Sequence, residues 1–128
     1  MNALILDDEP MILSLLQSIL GRRGYHVEAY TTPKGCPQYV SEACPCETQT
    51  GCPHVILTDF DMPFVTGIEF IEKLKQRGCK CQHIALISGL LDETALRRAA
   101  PLGVKVFTKP FHLKGLEAWL AEAERDLA

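Results

Sequence analysis

No run in this chain is apolar for the roughly 20 residues that a membrane-spanning helix needs. Excess basic charge is missing too. Thirteen Lys and Arg face sixteen Asp and Glu, for a net charge of -3. That balance gives no electrostatic case for direct binding to nucleic acid. The N-terminus, from Met1 to Asp8, lacks the basic start and the cleavage site of a signal peptide. The chain is therefore read as cytoplasmic, with no membrane partner. In a reducing compartment its six cysteines are expected as thiols or metal ligands rather than structural disulfides. No internal repeat and no linker divides the 128 residues. They are expected to form one domain, 1–128, long enough for a sizeable core. Composition is ordinary for a globular protein, at 47% hydrophobic and 23% charged.

What is present is a repeated pattern of apolar runs that end in polar side chains. The stretch Val55-Ile56-Leu57-Thr58-Asp59-Phe60-Asp61-Met62-Pro63 is the plainest. Its β-branched start suits a strand buried on both faces. Pro63 cannot continue a central strand, so the chain must turn there. Asp59 is thus held at the C-terminal tip of a buried strand, the edge at which open α/β sheets bind ligands.

The same grammar recurs along the chain. Leu4-Ile5-Leu6 ends in Asp7-Asp8-Glu9, and Pro10 then suits the first turn of a helix. Ile12, Leu15, Leu16, Ile19 and Leu20 follow helical spacing. Residues 25–30 alternate as a second strand, nearer the sheet edge. Residues 31–53 are rich in Pro, Gly and Cys and read as loop, with a short helix at about 38–43. Thr66-Gly67-Ile68-Glu69 has the spacing of a capping box and opens a helix to about Arg77. A fourth strand, 83–87, ends in Ser88-Gly89. Helix four is expected over 91–100, with Asp92 as its N-cap. A fifth strand, 104–108, ends in Lys109-Pro110-Phe111. Helix five runs almost to the end, with Leu113, Leu116, Leu120 and Ala123 on one face. His112 is expected at its start, and Trp119 half-exposed on it. Strand and helix alternate five times, which predicts a doubly wound parallel sheet, a flavodoxin-like (βα)5 fold.

If the strand order is 2-1-3-4-5, strands one and three meet at the switch point, and Asp7, Asp8 and Asp59 converge. Two such charges about 4 Å apart repel by roughly 4 kcal/mol at an effective dielectric near 20. The cluster therefore needs a cation, and all-oxygen ligands suit Mg²⁺. Lys109 adds an ammonium and Ser88 a hydroxyl. Those groups around one carboxylate make a cradle for a phosphoryl group, whose transfer depends on positioning and charge neutralisation. Asp59 is then the natural nucleophile, since carboxylates form aspartyl-phosphate.

Four features together resemble a response-regulator receiver domain of the CheY-like kind. They are Asp7-Asp8, Asp59-x-x-Met62-Pro63, Ser88-Gly89 and Lys109-Pro110-Phe111, each after its own strand. The resemblance implies that Asp59 takes a phosphoryl group from a sensor histidine kinase or a phosphotransfer protein. It implies Mg²⁺, or Mn²⁺ in its place, on Asp8, Asp59 and the main-chain carbonyl of Asp61, with Asp7 acting through water. It implies that Lys109 pairs with the phosphoryl group and that Ser88 hydrogen-bonds it. Ser88 would then move inward and reshape a partner-binding face of helix four, strand five and helix five. It also implies a cis Lys109–Pro110 bond.

Three features depart from that family's pattern. The aromatic usual three residues before the lysine is replaced by Val106, with Phe107 following on the opposite strand face, in a segment, 103–109, that looks one residue short. Asp61 places a carboxylate beside the phosphoryl approach path. The cysteine-rich stretch before strand three is an addition. Packed or free thiols are the first reading of those cysteines, Zn²⁺ at Cys36, Cys44, Cys46 and Cys52 the second, and a disulfide the third. Two other functional classes compete. One is a receiver-like interaction module that no longer uses phosphate. The other is a phosphatase of the haloacid-dehalogenase type, which carries Asp-x-Asp on its first strand rather than mid-chain. Any one of the four motifs alone would be an ordinary strand-end turn.

Overall fold

Five consecutive buried residues anchor the structure. β3 (Val55–Asp59) is buried at every position, as a strand covered on both faces must be. A computed structural model describes residues 1–36, 53–62, 65–89, 93–109 and 112–126. In it β3 lies between β1 (Asn2–Leu6) and β4 (His83–Ser88), and β2 (His26–Tyr30) and β5 (Lys105–Thr108) form the edges. The sheet is wholly parallel, in the order β2-β1-β3-β4-β5. The described helices are α1 (Pro10–Arg22), α2 (Gly67–Gln76), α3 (Glu93–Ala99) and α4 (Leu113–Arg125). α3 and α4 correspond to the sequence-predicted helices four and five. The helix predicted at 38–43, the cap at Asp92, the cis bond at Pro110 and the cysteines Cys44, Cys46 and Cys52 lie outside the described residues.

Alternation along the strands sorts the core into two layers. Ile5, Leu57, Ile87 and Phe107 join Leu16, Leu20, Leu116 and Trp119 on the face covered by α1 and α4. Leu4, Leu6, Ile56, Ile84 and Leu86 join Ile68, Phe70, Ile71, Leu74 and Ala95 on the face covered by α2 and α3. Both layers are needed, because a parallel ladder leaves no face free for water.

Two helices begin where their sequence signals lie. Pro10 occupies the first turn of α1, where a missing N–H is no loss. The backbone then reverses at Gly24, whose φ of 91° belongs to glycine. Arg23, at the end of α1, donates two hydrogen bonds to Glu124 of α4, at 2.8 and 2.6 Å. At α2 the predicted capping box is present. The Glu69 N–H donates to Thr66 Oγ1 at 3.2 Å, and the Thr66 N–H donates to Glu69 Oε1 at 3.3 Å.

Trp119 departs from expectation. It is 9% exposed rather than half-exposed. Its ring meets Phe107 edge to face, with centroids 6.0 Å apart and planes at 82°, the geometry that ring quadrupoles favour. No described helix is long and apolar enough to cross a membrane.

Candidate functional site

The ends of β1 and β3 bring the acids together. Leu6 pairs with Thr58 in the ladder, so Asp7 and Asp59 follow side by side. Carboxylate oxygens of Asp7, Asp8 and Asp59 all lie within 4.8 Å of one another. Asp7 is fully buried and Asp59 is 3% exposed, while Asp8 faces solvent. The backbone holds this edge in place. The Asp7 N–H donates to the Tyr30 carbonyl at 3.2 Å, and the Phe60 N–H to the Ile87 carbonyl at 2.8 Å. The Glu9 N–H donates to Asp7 Oδ1 at 2.8 Å and orients that carboxylate.

β4 and β5 supply the remaining groups. The Lys109 N–H donates to the Ser88 carbonyl at 2.6 Å. Lys109 Nζ then reaches 3.2 Å from Asp59 Oδ1, 3.6 Å from Asp7 Oδ2 and 3.5 Å from Glu9 Oε1. Ser88 lies one residue beyond Ile87, the strand partner of Asp59. It is 2% exposed, and its Oγ has no hydrogen-bond partner among the described residues. A buried hydroxyl without a partner is costly, and the cost is removed if a ligand accepts its proton.

The electrostatics follow from burial and crowding. Loss of hydration pushes the Asp59 carboxyl up to about 7, and the Asp7 charge adds to the rise, against the hydrogen bond and charge of Lys109. Burial likewise raises Asp7, against the Glu9 N–H and the Lys109 charge. Burial pulls Lys109 down. The hydrogen bond to Asp59 and the charges of Asp59, Asp7 and Glu9 outweigh it, and its pKa is raised overall. One ammonium does not neutralise this cluster.

The residues fit a hard divalent cation. The donors are all oxygen, which suits Mg²⁺. Asp7 Oδ2 is buried and, among the described residues, has the Lys109 ammonium at 3.6 Å but no hydrogen bond, an acceptor left for a hydrated cation. Among the sequence-predicted site residues, Asp7, Asp8, Asp59, Ser88 and Lys109 are thus assembled on one sheet edge. Asp61 is exposed, and its side chain is not part of the carboxylate cluster. The zinc set is not supported. Cys36 is fully buried in the apolar layer under α2, and the other three cysteines lie outside the described residues.

Sequence reasoning missed two contributors. In the sequence Glu9 reads as part of an acidic run, whereas in the fold its carboxylate is a third partner for Lys109. Gly67 reads only as part of a capping box. A Cβ there would run into the Asp59 carbonyl oxygen and the Leu86 side chain, so glycine lets α2 pack directly beneath the acceptor strand.

A parallel sheet with helices on both faces, carrying an acid cluster at its switch point faced by a lysine and a buried hydroxyl, defines a doubly wound α/β domain with a charged site at its C-terminal edge. The chain belongs to the response regulator receiver domain family, whose model matches residues 3–121. It is 30% identical over 119 residues to the transcriptional regulatory protein KdpE of Mycobacterium tuberculosis, covering 92% of this chain and 47% of that protein. Over 77 residues it is 29% identical to the DNA-binding transcriptional activator EvgA of Escherichia coli, covering 60% of this chain and 34% of that protein. The chain therefore spans about half or less of the length of these curated relatives. In fold it is similar to the Vibrio cholerae chemotaxis protein CheY4, with a TM-score of 0.75 at 22% identity over 95% of this chain and 97% of that one. It is also similar to the BeF3-activated DrrB receiver domain, with a TM-score of 0.76 at 20% identity over 97% of both chains.

Proposed function

We propose that Asp59 is the phosphoacceptor of a two-component signalling switch, taking its phosphoryl group from a sensor histidine kinase or a phosphotransfer protein. The observation that carries this reading is the contact of Lys109 Nζ with Asp59 Oδ1 at 3.2 Å inside a buried carboxylate cluster. An oxygen of ionised Asp59 attacks the phosphorus of a phosphohistidine donor. The new O–P bond forms as the P–N bond breaks, and the imidazole leaves with the bonding pair and takes a proton from solvent. Lys109 meets the charge on the phosphoryl oxygens, and Ser88 donates its hydroxyl proton to one of them. Asp8, Asp59 and the Asp61 carbonyl, with Asp7 through water, would hold Mg²⁺, which would supply positive charge to offset the transferred group.

Hydrolysis of the acyl phosphate by water regenerates Asp59 and inorganic phosphate. The domain thus catalyses its own loading and unloading. Asp59 has to be ionised to attack, and its pKa of about 7 without metal makes loading depend on pH and on the cation. The loaded form acts on a downstream protein through the face of α3, β5 and α4, with no direct contact to nucleic acid. Incubation with Mg²⁺ and acetyl phosphate tests this reading. One base-labile phosphoryl group per chain is expected by intact mass, and none with Asp59→Asn. An unmodified wild-type protein would favour an interaction module that no longer uses phosphate.

A further inference from the structure

Glu9 stands at the cap position of α1, yet its side chain makes no capping hydrogen bond to the helix. An acidic side chain there would ordinarily be held by the free N–H groups of the first turn and by the helix dipole. The main chain of Glu9 does stay in the turn. Its carbonyl accepts from the N–H groups of Ile12 and Leu13 at 3.1 and 3.2 Å, and its own N–H donates to Asp7 Oδ1. The carboxylate reaches instead to Lys109 Nζ, 3.5 Å away beyond the end of β5.

The acids at this edge therefore divide. Carboxylate oxygens of Asp7, Asp8 and Asp59 gather within 4.8 Å of one another, and Glu9 does not belong to that group. It addresses the ammonium rather than the cation site. An ammonium has three N–H bonds to give. Three carboxylates surround this one, Asp59 at 3.2 Å, Glu9 at 3.5 Å and Asp7 at 3.6 Å. A phosphoryl oxygen on Asp59 needs one of those N–H bonds, so one partner must let go. Asp7 is fully buried, and a buried charge left without its partner is costly. The Glu9 side chain is 60% exposed, so water replaces Lys109 on its carboxylate. Its release costs least.

We infer that Glu9 is a releasable holder of Lys109, gripping the ammonium in the unloaded domain and competing for it with the incoming phosphoryl group. Glu9 is thus a positioning residue that acts through Lys109. The inference rests on Asp59 being the phosphoacceptor. The competition slows loading. It leaves hydrolysis unchanged, because Glu9 has already let go in the loaded state and in the transition state that follows it.

Two variants separate grip from charge. Glu9→Gln removes the charge that holds Lys109. Glu9→Asp keeps the charge on a side chain shorter by one carbon, about 1.5 Å. Loading is followed by intact mass against time, with Mg²⁺ and sub-saturating acetyl phosphate, and phosphoryl lifetime after the donor is removed. Both variants are expected to load about three- to fivefold faster than wild type, fivefold being roughly the ceiling for so exposed a pair, with unchanged lifetimes. If Glu9→Gln does not fold, Glu9→Asp decides alone. Wild-type loading rates in both variants overturn the inference. So does a Glu9→Asp that loads like wild type, which would leave Glu9 as a mere charge at the mouth of the site. So does a lifetime that changes as much as the loading rate. If the wild-type protein gains no mass, the phosphoacceptor reading fails and this inference with it.

Discussion

Replacing the acceptor carboxylate is expected to stabilise the metal-free protein. Asp59 is 3% exposed, and its pKa of about 7 lies above the ordinary 3.8. Between those pH values the native state holds a proton that the unfolded chain has released. Stability is therefore full below about pH 4 and falls as pH rises to about 7. The gap of about 3 pH units, at about 1.4 kcal/mol each, sets a ceiling of roughly 4 kcal/mol. Asp59→Asn keeps the shape and removes the charge. It also relieves Asp7 of a repelling neighbour, while Lys109 loses one of three acidic partners. A net gain of about 2–4 kcal/mol is expected at pH 8, falling to about a quarter of that at pH 4.5. Urea unfolding at both pH values, with a chelator present, measures it. An equal effect at the two pH values, or a loss of stability at pH 8, would refute burial of an uncompensated carboxylate as the source of the strain.

Three further outcomes follow from the same geometry. Mg²⁺ at 100 times its dissociation constant should stabilise the fold by about 2.7 kcal/mol, roughly 10 °C in Tm, and Asp8→Asn should remove most of that shift in a thermal melt. Gly67→Ala should cost about 1–3 kcal/mol by chemical denaturation and slow phosphorylation, because the new methyl displaces the backbone of Asp59. Arg23→Ala should cost about 1 kcal/mol, since the Arg23–Glu124 pair is bidentate but about a quarter exposed; a double-mutant cycle reads the coupling.

The sheet and its acid cluster were legible because one rule repeats. Apolar runs of strand length stop at Asp7, Asp59, Ser88 and Lys109, and parallel strands must present such stops on one edge. The α2 cap was legible because Thr66 and Glu69 interact through local spacing alone. Period-two alternation makes the turn of Phe107 towards a buried layer legible, and it lies in the layer under α1 and α4. Trp119 was not legible, because its burial depends on what β5 and α1 place against the last helix, and helical spacing carries no such information. Glu9 escaped notice for a similar reason. Its reach to Lys109 spans 100 positions of sequence and exists only once β1 and β5 share an edge. Gly67 was hidden because its role is to lack an atom where two elements touch.

The central claim concerns one oxygen of one side chain, so the most direct measurement locates the modification. Protein treated with acetyl phosphate and Mg²⁺ is reduced with borohydride, which converts an aspartyl phosphate to homoserine, and the peptides are sequenced by mass spectrometry. Homoserine at position 59, and at no other aspartate, is the predicted result. Homoserine at Asp7, Asp8 or Asp61 instead, or at none of them, would contradict it.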